Sequence, residues 1–141
     1  MEERIEQIKE LDGPWMESEF YSPASEESIK KFEEEKNIII PESYRKFLNI
    51  TNGASIFGGD AVFYGVGDGI EFEVNYDFSQ GKVPSQLLIL GFYNSRHICF
   101  DNRNSSYIFY EYEEYDNIED ECMNFEDIEE VLDYIIDIAS N

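Results

Sequence analysis

Apolar side chains recur every three or four residues in the N-terminal third of the chain, the spacing that places them on one face of a helix. The repeat predicts three helices. The first covers about residues 3–11, and the second runs from an N-cap at Ser25 to about Lys36. The third has Pro41 at its first position and ends at Asn52-Gly53. The residues expected to face the core are Ile5, Ile8, Leu11, Ile29, Phe32, Tyr44, Phe47, Leu48 and Thr51.

After Gly53 the pattern changes from helical spacing to alternation. Residues 56–66 have the pattern of two short strands around a glycine turn, and residues 70–76 alternate apolar and polar side chains with a period of two. This alternation places Glu71 and Glu73 on one face of the predicted strand. The segments LLILGFY, HICFD and YIFYEY follow as further strands with hairpin-like spacing.

The C-terminal segment returns to helical spacing. Its apolar positions are Phe125, Ile128, Leu132, Ile135, Ile136 and Ala139. The order of helices, then strands, then a helix is typical of an α+β fold, here an antiparallel sheet with helices packed on one side. The other sheet face is expected to contact water. Since the chain shows no internal repeat or linker, residues 1–141 are predicted to form a single domain.

The net charge narrows the classes of partner. The chain has 32 acidic and 10 basic residues, for a net charge of −22, and residues 104–141 contain 13 acids and no Lys, Arg or His. Direct binding to nucleic acid or to an anionic membrane is disfavoured, because phosphate contacts require a basic patch. The hydrophobic fraction of 42% predicts a folded domain rather than a disordered acidic tail. A basic protein partner fits this charge best.

The N-terminal residues are too charged for a signal peptide, and no apolar run approaches the roughly 20 residues of a membrane span. These features predict a cytoplasmic protein. Cys99 and Cys122 have no metal-site spacing and fit a reducing compartment as small apolar side chains. A disulfide between them is the less favoured alternative.

Residues that could support catalysis are few. His97 is the only histidine, and its neighbours Ser95 and Asp101 do not define a triad, because a triad is a spatial arrangement. We interpret His97 as a structural residue on a strand. The glycines at 65, 67 and 69 lack the lysine and following helix of a phosphate loop, and the segment from Asp101 lacks the ligands of a calcium loop. The expectation is a protein without enzymatic activity, cofactor or metal.

The sequence IPESYRKFLNITNG, with SEESIKKFEEEKNI before it, resembles the signature of the SUKH superfamily. The matching residues are Phe32, Glu33, Ile40, Pro41, Tyr44, Phe47, Leu48, Asn52 and Gly53. The usual Asn-Gly-Gly of the family is Asn-Gly-Ala-Ser here. The resemblance implies an α+β domain. It also implies a binding function, since bacterial members are mostly immunity proteins that neutralise toxin domains, often nucleases, of polymorphic toxin systems, whereas eukaryotic relatives are regulators and scaffolds.

These observations together predict an immunity protein that binds a basic toxin domain, of the nuclease class, through an acidic surface. The alternatives are a non-enzymatic scaffold or regulatory module and, third, a metal-dependent enzyme. The expected binding residues lie on the water-facing side of the sheet and in the acidic loop beside it: Glu71, Glu73, Glu111, Tyr112, Glu113, Glu114, Tyr115 and Asp116. Tyr112 and Tyr115 are candidate anchors, although most rings of the run 107–115 are expected to pack in the core.

Overall fold

The computed structural model describes residues 1–14, 16–77, 81, 83–111 and 123–141. Within these residues there are four α-helices: α1 (Glu2–Leu11), α2 (Glu26–Lys36), α3 (Glu42–Leu48) and α4 (Ile128–Ala139). The described strands are β1 (Glu19–Phe20), β2 (Ala54–Ile56), β3 (Ala61–Phe63), β4 (Leu87–Tyr93), β5 (Arg96–Asp101), β6 (Ser106–Tyr110) and β7 (Asn124–Phe125).

The seven strands form one antiparallel sheet in which every strand pairs with its neighbours in the sequence, in the order β1 to β7. The predicted α+β class is confirmed. A short 3-10 turn at Phe57–Gly59 joins β2 to β3, where the glycine turn was predicted. Connections of two to four residues join β2 to β3, β4 to β5 and β5 to β6, and strands joined in this way can pair without a crossover. The other three pairs are formed by strands that longer segments separate.

The helix boundaries follow local capping chemistry. Ser25 caps α2, and its Oγ accepts a hydrogen bond from the Ser28 backbone N–H at 3.1 Å, as predicted. Pro41 is the N-cap of α3 rather than its first residue. The prediction that α3 extends to Asn52-Gly53 is wrong, because the helix ends at Leu48 and the residues after it make tertiary contacts.

One face of the sheet packs against α3 and α4. The rings of Phe47 and Phe63 lie 5.5 Å apart, which joins α3 to β3. The Tyr134 ring of α4 lies 5.5 Å from the Phe109 ring of β6. Aromatic pairs at these distances add to the free energy gained by burying apolar surface.

The second face of the sheet is not left wholly to water, contrary to the expectation. His97 and Cys99 alternate with the helix-facing residues of β5 and are buried, as is Ile108 opposite Cys99. Residues 64–77 cross this face. The Tyr64 ring lies 6.4 Å from the Phe92 ring, which belongs to the same face.

The prediction of a strand at residues 70–76 is wrong. This part of the crossing segment consists of bends and turns, with one isolated parallel bridge between Gly65 and Glu73. Asn75 has a left-handed backbone (φ 76°), and both its N–H and its side-chain oxygen bond to the backbone of Ile89. Tertiary hydrogen bonds to β4 therefore override the local alternation.

Position 91 in β4 requires glycine, because β3 and β4 approach each other closely there. A Cβ at this position would lie 2.0 Å from the Val62 carbonyl oxygen in β3. The pairing of β4 with β5 is also irregular between Ile89 and Gly91. Since both neighbouring strands are fixed by their own ladders, the backbone cannot move to make room.

We expect Gly91→Ala to lower the free energy of unfolding by about 3 kcal/mol, because the added methyl group overpacks a rigid contact. Urea denaturation followed by circular dichroism measures this change. Gly13→Ala is the matched control: a Cβ there meets nothing within 4 Å, and a change of no more than about 0.5 kcal/mol is expected. Equal stability of the two variants would show that β3 and β4 can separate.

Asp101 closes the turn between β5 and β6. Its side chain is 2% exposed, and Oδ1 accepts hydrogen bonds from the Arg103 backbone N–H (3.0 Å) and Nε (3.1 Å), while Oδ2 accepts one from Nη2 (3.0 Å). The Arg103 hydrogen bonds and charge lower the pKa of Asp101, against the opposing effect of burial. The stability that this carboxylate contributes is present above its unfolded pKa of about 3.9 and is lost as the pH falls through the lower folded pKa.

The free energy of unfolding of the wild-type chain should therefore decrease relative to that of Asp101→Asn as the pH falls from about 5 to about 2. Comparing the two chains is essential, because acidification also relieves repulsion among the other carboxylates. Urea titrations across this range provide the measurement. Parallel pH profiles would mean that the Asp101 pair adds nothing to stability.

Candidate protein-binding groove

A groove of about 1020 Å³ opens at the end of the sheet formed by β1, β2 and β3. Ser55 and Val62 form part of its lining and are half-buried. They share the second sheet face, because they pair with each other across β2 and β3. Residues 19–23 line one side of the groove and residues 68–72 line another. The crossing segment thus covers the middle of the second face and leaves this end open.

Four carboxylates line the groove, from Glu17, Glu19, Asp68 and Glu71, and all four residues lie at least partly at the surface. The described lining includes no Lys, Arg or His. Carboxylates on the walls of one concavity reinforce each other's potential, because the protein beneath them screens poorly. The groove is therefore suited to a cationic ligand.

Tyr21 lies among these carboxylates and is 41% exposed. Burial of the ring, the charges of Glu19 and Glu71, and a hydrogen bond to Glu19 all raise the pKa of the Tyr21 hydroxyl. The Tyr21 backbone N–H donates to Thr51 Oγ1 at 2.8 Å. Its backbone position is thus fixed to the segment that follows α3, while the side chain remains accessible.

Asn52 connects this segment to the opposite wall. Its Oδ1 accepts from the Val66 N–H at 2.8 Å, and its Nδ2 donates to the Val66 carbonyl at 2.9 Å, so that the side chain acts as a short piece of strand. Gly65 allows the approach, since a Cβ there would lie 2.5 Å from the Asn52 carbonyl oxygen. Gly53 (φ 92°) also lacks room for a side chain, since a Cβ there would lie 2.7 Å from the Phe63 carbonyl oxygen.

The other residues of the signature hold the helices in place. Glu33 accepts from the Ile40 backbone N–H (2.8 Å) and pairs with Arg45 (2.6 Å), which fixes the loop between α2 and α3. The Tyr44 hydroxyl donates to the carbonyl oxygens of Tyr64 and Leu90, where the crossing segment leaves the sheet. These side chains therefore stabilise the structure from which the groove is built.

Many basic side chains of the described chain lie away from the groove, in ion pairs of the helices. Arg4 of α1 contacts Glu129 (3.0 Å) and Asp133 (2.8 Å) of α4, and Arg45 contacts Glu26 as well as Glu33. Further pairs within helices are Lys9–Glu6, Lys31–Glu35 and Lys46–Glu42. The helices thus carry both positive and negative side chains, whereas the charged side chains of the described groove lining are all negative.

Of the binding residues predicted from the sequence, Glu71 lines the groove and Glu73 lines an adjoining pocket of about 400 Å³ that shares Glu71 and Ile70 with it. The structure therefore brings Glu71 and Glu73 to adjoining cavities. Glu111 is half-buried beyond the end of β6 and is not among the groove residues. The remaining predicted residues, Tyr112, Glu113, Glu114, Tyr115 and Asp116, lie outside the described part of the chain.

Sequence reasoning missed Glu17, Glu19, Tyr21 and Asp68 as lining residues. Only the run ESEFY at 17–21, in which acids precede aromatic rings, could have marked the first wall. A two-residue strand such as β1 gives no usable periodicity.

His97 lies in β5, as predicted, and is 1% exposed. Burial lowers its pKa, while the charges of Asp77 and Glu111 act in the opposite direction. A buried neutral imidazole under the crossing segment agrees with a structural role. In the part of the chain that the structure describes, His, Cys, Asp and Glu form no group of three or more that could hold a metal ion.

The four described helices and the seven-stranded antiparallel sheet define an α+β domain. The model of the SMI1 / KNR4 family (SUKH-1) matches residues 23–130, and the chain belongs to this family. Members are generally immunity or binding proteins rather than enzymes, and membership is consistent with an immunity role. A comparison with curated proteins found no match. Among the described helices, none has the length and apolar character needed to cross a bilayer.

We expect Asn52→Ala to lower the free energy of unfolding by about 1–3 kcal/mol, because the N–H and carbonyl of Val66 lose their partner. Hydrogen exchange should show faster exchange at Val66. Asn49→Ala is the matched control, since the Asn49 side-chain amide bonds to Glu26 at the exposed surface; it should change stability by about 0.5 kcal/mol or less. The role assigned to Asn52 would be wrong if Val66 exchanged equally slowly in both variants.

Proposed function

We propose that this protein is an immunity protein that binds a basic toxin domain, of the nuclease class, and blocks its substrate site. Two features support the proposal: membership of the SMI1 / KNR4 family and a net charge of −22 with a groove lined by carboxylates. The acidity of that groove, whose described lining includes no basic side chain, is the observation that carries the proposal.

The mechanism follows from electrostatics. A nuclease must present positive charge where it holds phosphate groups. Carboxylates of the immunity protein can occupy that region, so that the nucleic acid is excluded without any chemistry by the immunity protein. Opposite charges also steer the two proteins together, and association rates can reach about 10⁸–10⁹ M⁻¹s⁻¹.

The proposed binding surface includes described residues and acidic and tyrosine residues of the segment 112–116, which lies outside the described part of the chain. Glu71, Glu73 and Glu111 belong to it, together with Glu113, Glu114 and Asp116 as steering charges. Tyr112 and Tyr115 are proposed anchors that slow dissociation, since tyrosine is common among interface residues with large contributions to affinity.

Co-expression tests the function directly. Toxin domains encoded beside this chain are to be produced in a bacterial host with and without it. Rescue of growth and a stable complex of toxin and chain are expected for the cognate toxin. Failure to rescue growth with any of them, together with a stable complex with a resident host protein, would replace the proposal with a scaffold or regulatory role.

The association rate with the cognate toxin should fall by about tenfold or more between low salt and about 0.5 M salt, because the Debye length shrinks from about 30 Å at 0.01 M to a few ångströms. Stopped-flow mixing measures this rate.

Replacing Glu113, Glu114 and Asp116 with Lys should slow association strongly, and Tyr112→Ala or Tyr115→Ala should speed dissociation.

The matched control replaces Glu3, Glu10 and Asp137 with Lys, since these exposed helical residues give the same change in net charge at another place. It should slow association much less. A rate that does not depend on salt, or equal slowing by both triple variants, would contradict binding through the proposed surface.

A further inference from the structure

We infer that the groove docks an extended, cationic segment of the partner, with Tyr21 as the anchor and with Glu19 and Glu71 as the carboxylates that bind its Arg or Lys side chains. This inference rests on the proposed function and names the part of the partner that is recognised. It involves residues at the β1–β3 end of the sheet and none of the acidic residues 112–116.

The dimensions of the groove favour a segment over a single side chain. Its volume of about 1020 Å³ is at the upper end of the roughly 300–1,000 Å³ found for ligand pockets. Addition of a strand to the sheet edge is a poor alternative, because β1 has two residues and offers few backbone groups. Recognition by side chains within the groove is therefore favoured.

Tyr21 and its neighbours have the chemistry that binds a guanidinium or ammonium group. Glu19, Tyr21 and Glu71 all line the groove, so two carboxylates share one concavity with a partly exposed ring. A cation over an aromatic face is a favourable contact in other proteins, and carboxylates bind Arg through paired hydrogen bonds. A neutral or acidic segment would leave both carboxylates without a counter-charge.

The adjoining pocket extends the groove and adds apolar side chains and a lysine to its lining. Ile70 and Glu71 line both cavities, and the pocket adds Ile38 and Tyr76, the latter 46% exposed. Lys36 also lines it, so the charge there is less negative than in the groove. A segment that fits both cavities has basic residues in the groove, followed by an apolar side chain over Ile38 and Tyr76.

The test uses the full chain and a synthetic peptide of alternating Arg and Ser residues as the probe, at physiological salt. Amide chemical shifts are followed by NMR, and affinity is measured by calorimetry. Shifts are expected to be largest at Ser55, Val62 and Gly69, which line the groove. Glu19→Lys combined with Glu71→Lys should weaken binding about tenfold or more, since both counter-charges are reversed.

The control combines Glu3→Lys with Glu10→Lys on α1, which gives an equal change in net charge. It should weaken binding about twofold or less, because salt screens distant charges.

Tyr21→Ala should weaken binding, while Tyr21→Phe should retain it, because the ring face is preserved. Equal weakening by both double variants, or the largest shifts on α1 and α4, would overturn the inference.

Growth protection separates this inference from the proposed function. If the chain with Glu19→Lys and Glu71→Lys protects against the cognate toxin as well as the wild type does, docking of the partner in the groove is wrong and the immunity function stands. If the wild type protects against no toxin but the peptide results are as expected, the immunity function is wrong and the groove remains a site for cationic segments.

Discussion

The pairing of the Asn52 side chain with the Val66 backbone is the contact on which the exposed surface of this protein depends. It joins the end of the helical segment to the start of the chain that crosses the sheet. Because Val66 is held at this point, the next residues can lie over the middle of the second sheet face, where Asn75 bonds to Ile89. The end of the sheet at β1–β3 is left uncovered, and the groove exists there for that reason.

The distribution of charge follows from the same architecture. Most basic residues of the helices pair with acidic neighbours, and an exposed pair of this kind contributes about 0–1 kcal/mol to stability. These pairs offset little of the repulsion that a net charge of −22 imposes. Stability must therefore come chiefly from the buried core, in which both faces of the central strands are covered.

Comparison of sequence and structure separates local from tertiary determinants. Helix α2 was predicted from its cap at Ser25 to its end, because capping and apolar spacing are local properties. The end of α3 was misplaced: the Asn52-Gly53 pair has the composition of a helix stop but serves the contact with Val66 and the close approach to Phe63. Residues 70–76 alternate like a strand, yet the hydrogen bonds to β4 hold them in turns.

The sequence by itself determined the class of fold, the main helices and strands, the acidic character and the resemblance to the family, since each depends on composition or on neighbours along the chain. It also marked Glu71 as a candidate binding residue. Only the tertiary structure decided that Glu71 shares a groove with Glu17, Glu19 and Asp68, and that Tyr21 lies among them. The two walls are about fifty positions apart in the chain. Their proximity arises from the pairing of β1 with β2 and from the path of the crossing segment, which no local pattern encodes.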